Sequence, residues 1–364
     1  MANNPKSLYI HIPFCDHICS YCDFTKLFYF SKFEKPYLEA LKKEISSKVK
    51  NKIFTLYFGG GTPTSLSDEG FEDILSFAAN YLEPDYEFTV EANVENLTEA
   101  KLDIMKRCGV NRLSIGVQST CNKLLKEIGR HHTFEDAQKI IKLAKSKGFS
   151  NINIDLIYGF KNESLNDLKK DLEEFINLDI DHISIYSLIV EKGSIFFAQK
   201  YPTQDEDESR KHYESIVDFL RKHRYERYEI SNFARNGKYS RHNLTYWHNE
   251  EYYGCGLGAS GYENGVRYEN TKSLSEYLKG NFISSSEKIT KKELEEYFLI
   301  TNLRLEKGFA KAEYQRIFGD SFEEKYKDKI RNFDLNRYFD FSNDRVRLTD
   351  EGLILMDFVL LKLL

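Results

Sequence analysis

Along the first half of the chain, short apolar runs rich in β-branched and aromatic residues alternate with longer stretches whose apolar positions follow a helical period. The runs are Leu8–Ile12, Ile53–Phe58, Tyr86–Ala92, Arg112–Val117, Asn151–Ile157 and His182–Ile189, and each predicts a strand. Between them, Pro36–Lys48, Asp68–Ala79, Phe134–Lys147 and Ser164–Leu178 predict amphipathic helices. A succession of β–α units implies parallel strands joined by helical crossovers. Two architectures satisfy it: an open doubly wound sheet, or a curved and incomplete β/α barrel.

Polar residues decide between them. Cys15 follows the first run, Gly59–Pro63 the second, Glu91 ends the third, Gln118 follows the fourth, and Asp155 lies late in the fifth. A site assembled from many strand ends belongs to a barrel, whereas an open sheet gathers its site at one switch point. The expected fold is therefore α/β, a partial (β/α)6 barrel. Beyond Val190 the pattern loosens: Thr203–His223 reads as a charged amphipathic helix, followed by a Gly-, Asn- and Tyr-rich region through Asn270. From Glu287 helices dominate again, with Arg345–Leu348 as a short strand before a buried terminal helix over Leu353–Leu364. Three parts are expected: a barrel over 1–235, a connecting region over 236–285, and a helical, winged-helix-like domain over 286–364.

Composition narrows the partners. With 41% hydrophobic and 30% charged residues, the chain is an ordinary folded protein, and at 364 residues it is too long for one small core. The net charge of −5 offers no basic footprint for nucleic acid, and the charges of the last domain are mixed in sign, so its winged helix is read as structural or protein-facing. Met1–Lys6 leads into no secretory h-region. Leu353–Leu364, interrupted by Asp357 and Lys362, is too short to span a bilayer. A cytoplasmic protein without a transmembrane segment is expected.

Three of the six cysteines fall together as Cys15-x3-Cys19-x2-Cys22, in a loop directly after a strand. In a reducing compartment such crowding signals a metal site rather than a disulfide framework. Thiolates are the ligands iron–sulfur clusters require, and three of them leave one corner of a [4Fe–4S] cube open. The rival is a zinc site completed by His11 or His17. Cys108, Cys121 and Cys255 are scattered and read as small buried hydrophobes, with Cys255 a minor alternative thiolate ligand. Gly59-Gly60-Gly61-Thr62-Pro63 lets backbone approach a ligand closely, although the same string serves equally as a tight turn. Glu91, Gln118, Arg130 and Asp155, near successive strand exits, together suit the amino, carboxylate and ribose groups of a polar cofactor.

Tyr9-Ile-His-Ile-Pro-Phe-Cys15 with the three-cysteine spacing, followed by Gly59–Pro63, resembles the radical-SAM superfamily and, within it, the coproporphyrinogen-oxidase-like branch. The likeness runs from Ser7 through the C-terminal domain and includes Ile115-Gly-Val-Gln118 and Ile154-Asp-Leu-Ile-Tyr-Gly159. It implies a [4Fe–4S] cluster on Cys15, Cys19 and Cys22, its open iron bound by the amino and carboxylate groups of S-adenosylmethionine. It also implies cofactor contacts from Tyr9, Gly60, Gly61, Thr62, Glu91, Gln118, Arg130 and Asp155. One departure is Tyr158-Gly-Phe-Lys-Asn-Glu163, where the family usually reads Gly-Leu-Pro-Gly-Gln.

Within the branch, oxidase members carry a fourth cysteine two residues after the third; here that position is Phe24, as in the haem chaperone members. Their His-Asn-x-x-Tyr-Trp signature is matched by His242-Asn243-Leu-Thr-Tyr246-Trp247, preceded by a similar Tyr228–Phe233 segment. The resemblance thus implies a haem carrier, with His242 offering an imidazole to iron and Tyr246 and Trp247 offering flat apolar surface beside Asn243. Its partners would be haem and a haem-acceptor protein, and a homodimer is one arrangement the likeness allows. The alternative is an oxygen-independent coproporphyrinogen III dehydrogenase. A zinc-stabilised binding module is a third reading.

Overall fold

Six strands, β1 (Ser7–Ile12), β2 (Ile53–Gly60), β3 (Leu82–Asn93), β4 (Arg112–Gln118), β5 (Ile152–Tyr158) and β6 (His182–Ser187), pair in sequence order and all in parallel. The computed structural model describes residues 4–364. Each expected strand is present, because each run is apolar and largely buried, as a sheet clothed by crossover helices demands, with Phe54 and Tyr186 the exposed aromatic exceptions in the strands. The crossovers include α1 (Ser31–Lys48), α2 (Asp68–Ala79), α3 (Glu99–Arg107), α4 (Phe134–Ser146) and α5 (Leu165–Asn177). α4 and α5 begin with capping boxes, Thr133 with Asp136 and Ser164 with Asp167. α1 starts at Ser31, ahead of Pro36, and α3 was not among the expected helices.

Two edges complete a nine-stranded sheet. A hairpin, β7 (Glu226–Glu229) and β8 (Asn232–Ala234), adds antiparallel beside β6, after helix α6 (Glu206–Lys222). At the other edge β9 (Tyr253–Cys255) pairs parallel to β1. β9 thus belongs to the main sheet, although it lies in the stretch read as a connection. Cys255 is fully buried there and reaches no surface, which removes it as a ligand; Cys121, in contrast to its expected burial, is exposed at the start of a short helix. The sheet order places β9 and β7 at opposite edges, so the barrel is open.

From Ser260 a three-stranded antiparallel meander, β10 (Ser260–Glu263), β11 (Val266–Asn270) and β12 (Ile283–Lys288), fills the expected connection, and β12 crosses the boundary drawn at 285/286. The meander is bound to the barrel through Glu44 of α1. Its carboxylate, wholly buried, accepts from the Gly256 N–H (2.8 Å), the Asn270 amide (2.7 Å), the Tyr277 hydroxyl (2.5 Å) and the Lys48 ammonium (2.6 Å).

The C-terminal domain has its own core around Phe298, Phe309, Tyr314, Phe322 and Leu348. Helices α7 (Lys291–Asn302), α8 (Lys311–Phe318) and α9 (Phe322–Asn332) pack on a small antiparallel sheet of Phe309–Ala310, Arg345–Leu348 and Phe339–Asp340, a winged-helix layout. The apolar tail is two helices, Asp350–Ile354 and Met356–Leu363, rather than one, and Leu361 is 82% exposed. No helix among the described residues is long and apolar enough to cross a membrane.

Candidate functional site

Inside the partial barrel, alternation along each strand sends every second side chain to the concave face, and parallel register lines these up in rows. One row runs Tyr57–Thr89–Arg112 and the next Glu91–Ser114–Asn153–His182; the row nearest the strand exits is Asn93–Gly116–Asp155–Ser184. The rows surround a cavity of about 460 Å³ whose mouth is the cysteine loop. Cys15, Cys19, Cys22, Gly60, Gly61, Thr62, Glu91, Gln118, Arg130 and Asp155 all line it, so the sequence-derived residues come together at one place. Tyr9 is the exception. Its hydroxyl is 3.0 Å from His11 Nδ1, and it lines a smaller neighbouring cavity with His11, Phe24 and Tyr246.

The cysteine loop is held from both sides: the Ser20 N–H donates to the Ile128 carbonyl (3.0 Å), and the Phe196 N–H to the Ser20 carbonyl (2.9 Å). The Thr62 hydroxyl lies 3.6 Å from Cys15 Sγ. Burial pushes the Cys15 thiol up to about 11, so it keeps its proton until a metal takes the proton's place. The rival histidines are otherwise engaged. His11 Nε2 sits 2.7 Å from the Thr25 carbonyl, with the ring pushed down to about 4 by burial, and His17 stacks on His131 at 3.8 Å. Among the described residues no three His, Cys, Asp or Glu side chains close on a single-ion site.

Beyond the loop, the glycines are required by close approach. A Cβ on Gly61 would stand 2.6 Å from the Pro13 carbonyl oxygen, and Gly60 adopts φ +114° against the His11 ring. Glu91 receives the Tyr57 hydroxyl (2.7 Å) and the Gly60 N–H (3.2 Å). Burial, then the nearby Asp155, raise it to about 7; burial also raises Asp155. Gln118 turns the chain with φ 75°. Arg130 is buried with Nε and Nη1 lacking any partner within hydrogen-bond range, and Arg112 Nε is likewise unpartnered. Buried guanidinium donors without acceptors are costly unless a ligand supplies them. Two carboxylates, two such arginines and a glycine-lined backbone therefore fit a zwitterionic cofactor carrying hydroxyls, and the three thiols at the mouth fit an iron–sulfur cluster. Tyr57, Asn93, Arg112, Asn153, Ser184 and Tyr186 also line the cavity and were missed in the sequence. The available signal was alternation: Arg112-x-Ser114-x-Gly116-x-Gln118 and Asn153-x-Asp155 place polar or small residues at every second position of otherwise apolar strands.

The His242 segment forms the helix Arg241–Trp247, which plugs the floor of the barrel. Glu87, from β3, accepts the N–H groups of Arg241 (3.0 Å) and His242 (3.0 Å), a carboxylate at a helix N-terminus. His242 is 1% exposed, with Nδ1 at 2.8 Å from the Thr55 hydroxyl, Nε2 at 2.8 Å from the Tyr246 hydroxyl, and the ring stacked on Tyr57. Both ring nitrogens are thus engaged, and burial holds the imidazole neutral, down to about 3. Asn243 faces the cofactor cavity, while Trp247 lies under the Arg304 guanidinium at 4.5 Å.

Known proteins place this arrangement. Residues 9–175 match the Radical SAM superfamily and residues 289–355 the HemN C-terminal domain. Over 361 residues, 97% of the chain, it is 38% identical to the heme chaperone HemW of Lactococcus lactis, of which 95% is covered. The chain belongs to the HemW family. HemW of Bacillus subtilis is 37% identical over 96% of the chain and 97% of its own length, and HemW of Escherichia coli 32% over 85% of each. The fold is that of the coproporphyrinogen III oxidase HemN from Escherichia coli, a radical SAM enzyme, with TM-score 0.86 and 21% identity over 99% of this chain and 90% of that one. Membership in the HemW family accounts for the partial barrel and the C-terminal domain together.

Proposed function

We propose that this protein is a cytoplasmic haem chaperone: it binds haem and passes it to an acceptor protein, and it carries a [4Fe–4S] cluster on Cys15, Cys19 and Cys22 with exchangeable S-adenosylmethionine. The observation that carries this reading is the match of nearly the whole chain to proteins named heme chaperones. Phe24 supports it locally. It lines the cofactor cavity at the cysteine loop, 65% exposed, in the position where the oxidase members have a further thiol.

When bound, the cluster supplies an open iron for the amino and carboxylate groups of the cofactor. The chain's own work is positional. Gly60 and Gly61 line the cavity with bare backbone, Glu91 and Asp155 offer acceptors, and Arg112 and Arg130 offer donors, Arg130 keeping only a long ion pair of 3.8 Å with Glu95. Thr62 orients Cys15, and the barrel wall excludes water from the sites of contact. His242, Asn243, Tyr246 and Trp247 contribute to haem binding by seating their helix at the junction of barrel and C-terminal domain. A dimer joined through the cluster end is compatible with the exposed Phe24, Phe28 and Phe30 near that mouth.

The test is a substrate assay. Oxygen-free, cluster-loaded protein given coproporphyrinogen III, S-adenosylmethionine and a reductant is expected to release no carbon dioxide, while mixing with haem gives a saturable Soret change. Decarboxylation to protoporphyrinogen IX would assign it to the dehydrogenase class instead.

A further inference from the structure

A second cavity, of about 570 Å³, opens between the β7–β8 hairpin, the C-terminal domain and the helix Arg241–Trp247. It shares no residue with the cofactor cavity. Its volume falls in the range that encloses a cofactor-sized ligand, and domain junctions are where such sites concentrate. The lining is divided in character. Its apolar surface comes from Tyr239 and Leu244, half-buried, backed by the buried Tyr225, Tyr228, Phe233 and Leu305, with Tyr228 and Tyr239 packed at 4.6 Å. Around it stand Arg221, Arg224, Arg227, Lys307, Arg345 and His248 against two acids, Glu226 and Glu306.

Several of these charges are already occupied. Arg227 donates to Glu306 (2.7 Å) and pairs with Asp350; Arg221 reaches Asp350 at 3.4 Å; Arg345 donates to the carbonyls of Lys307 (2.6 Å) and Gly308 (2.8 Å). Glu226 takes the Tyr239 hydroxyl. The side chains of Arg224, Lys307 and His248 have no such partner among the described residues and line the same opening. Two unpaired cations, an apolar patch at Tyr239 and Leu244 and one imidazole are the complement of a planar macrocycle bearing two carboxylates and a central iron.

Helix geometry decides which histidine is offered. Leu244 and His248 are four residues apart and so share a face, the one that lines this cavity. His242 is six residues from His248, roughly 240° around the helix at about 3.6 residues per turn, and points into the barrel floor. One ligand cannot meet both. We propose that haem binds in this second cavity with His248 as its iron ligand and with Arg224 and Lys307 holding its propionates. The His242 hydrogen bonds fix the helix that presents His248. This rests on the haem-chaperone reading. A surface-open cavity with one exposed imidazole also suits a cargo that must leave again.

The experiment titrates full-length protein with haem, following the Soret band. His248→Ala is expected to weaken haem binding by about tenfold or more and to remove the imidazole-ligated spectrum, which added imidazole restores. The double variant Arg224→Glu/Lys307→Glu is expected to lose a similar factor for haem but not for the dimethyl ester of haem, which lacks the carboxylates. If wild-type protein binds haem and both variants bind it with unchanged affinity and spectrum, the site is wrong while the chaperone reading stands. The site is equally wrong if His242→Ala loses the ligand band and His248→Ala keeps it. If wild-type protein binds no haem at all, the chaperone reading itself fails.

Discussion

Glu91→Gln is expected to weaken S-adenosylmethionine binding by about ten- to a hundredfold at pH 8 and to abolish most of its pH dependence between pH 5 and 8. The carboxyl lies in the cofactor cavity and is raised to about 7 by burial and by Asp155, with Tyr57, the Gly60 N–H and Arg112 opposing the rise. A ligand presenting an ammonium or ribose hydroxyls prefers the ionised form, since hydrogen bonds to a charged acceptor are the stronger ones. Affinity in the wild type should therefore climb as pH rises toward 7 and level off above it. The sign for stability is opposite. The folded, ligand-free protein holds a proton on Glu91 that the unfolded chain releases near its ordinary value of 4.5, so stability from this group falls as pH rises from about 4.5 to about 7. Glu91→Gln should be the more stable protein without ligand at pH 8, and the weaker binder. Equilibrium dialysis with labelled cofactor and urea denaturation at several pH values check both signs; a variant with unchanged affinity would remove Glu91 from the cofactor site.

Glu44→Ala is expected to cost about 3–5 kcal/mol in urea denaturation, among the largest losses available from one side chain outside the cofactor site. The buried carboxylate ties α1 to the meander through Gly256, Asn270 and Tyr277, and Lys48, its ion-pair partner, also donates to the Gly254 carbonyl at 3.2 Å and covers the Tyr268 ring. Truncation takes the acceptor from the buried Gly256 N–H and Tyr277 hydroxyl and the counter-charge from Lys48, which is the costly way to break such a group. Glu44→Gln retains acceptor capacity and should lose less. Equal stability of Glu44→Ala and wild type would show that the meander docks without this carboxylate.

The six central strands were legible because each is a dense apolar run, and the cysteine and glycine strings because their spacing is local. The polar cavity rows were harder. Arg112, Asn153 and Ser184 act through register across neighbouring strands, a relation that the linear chain does not display. β9 escaped notice since Tyr253-Gly-Cys255 is three residues long and pairs with β1 far away in sequence. The His242 motif shows a different limit. Its residue types suggest iron ligation, but Glu87, Thr55 and Tyr57, from two remote strands, turn it into the barrel floor. The second cavity was invisible in the sequence because its walls come from α6, the hairpin and the C-terminal domain, and only their packing gathers the basic groups.

Cluster and haem are expected in different places: the cluster on three thiolates at the barrel mouth, the haem in a separate cavity behind the barrel edge. The most direct test titrates haem into oxygen-free, reconstituted protein while iron and acid-labile sulfide are counted. The expected result is about four iron and about four sulfide per chain before haem is added, and about five iron with the same four sulfide once a single haem has bound, with sulfide lost in Cys15→Ser, Cys19→Ser or Cys22→Ser. Zinc in place of iron and sulfide, or haem that binds only by displacing the cluster, would contradict it.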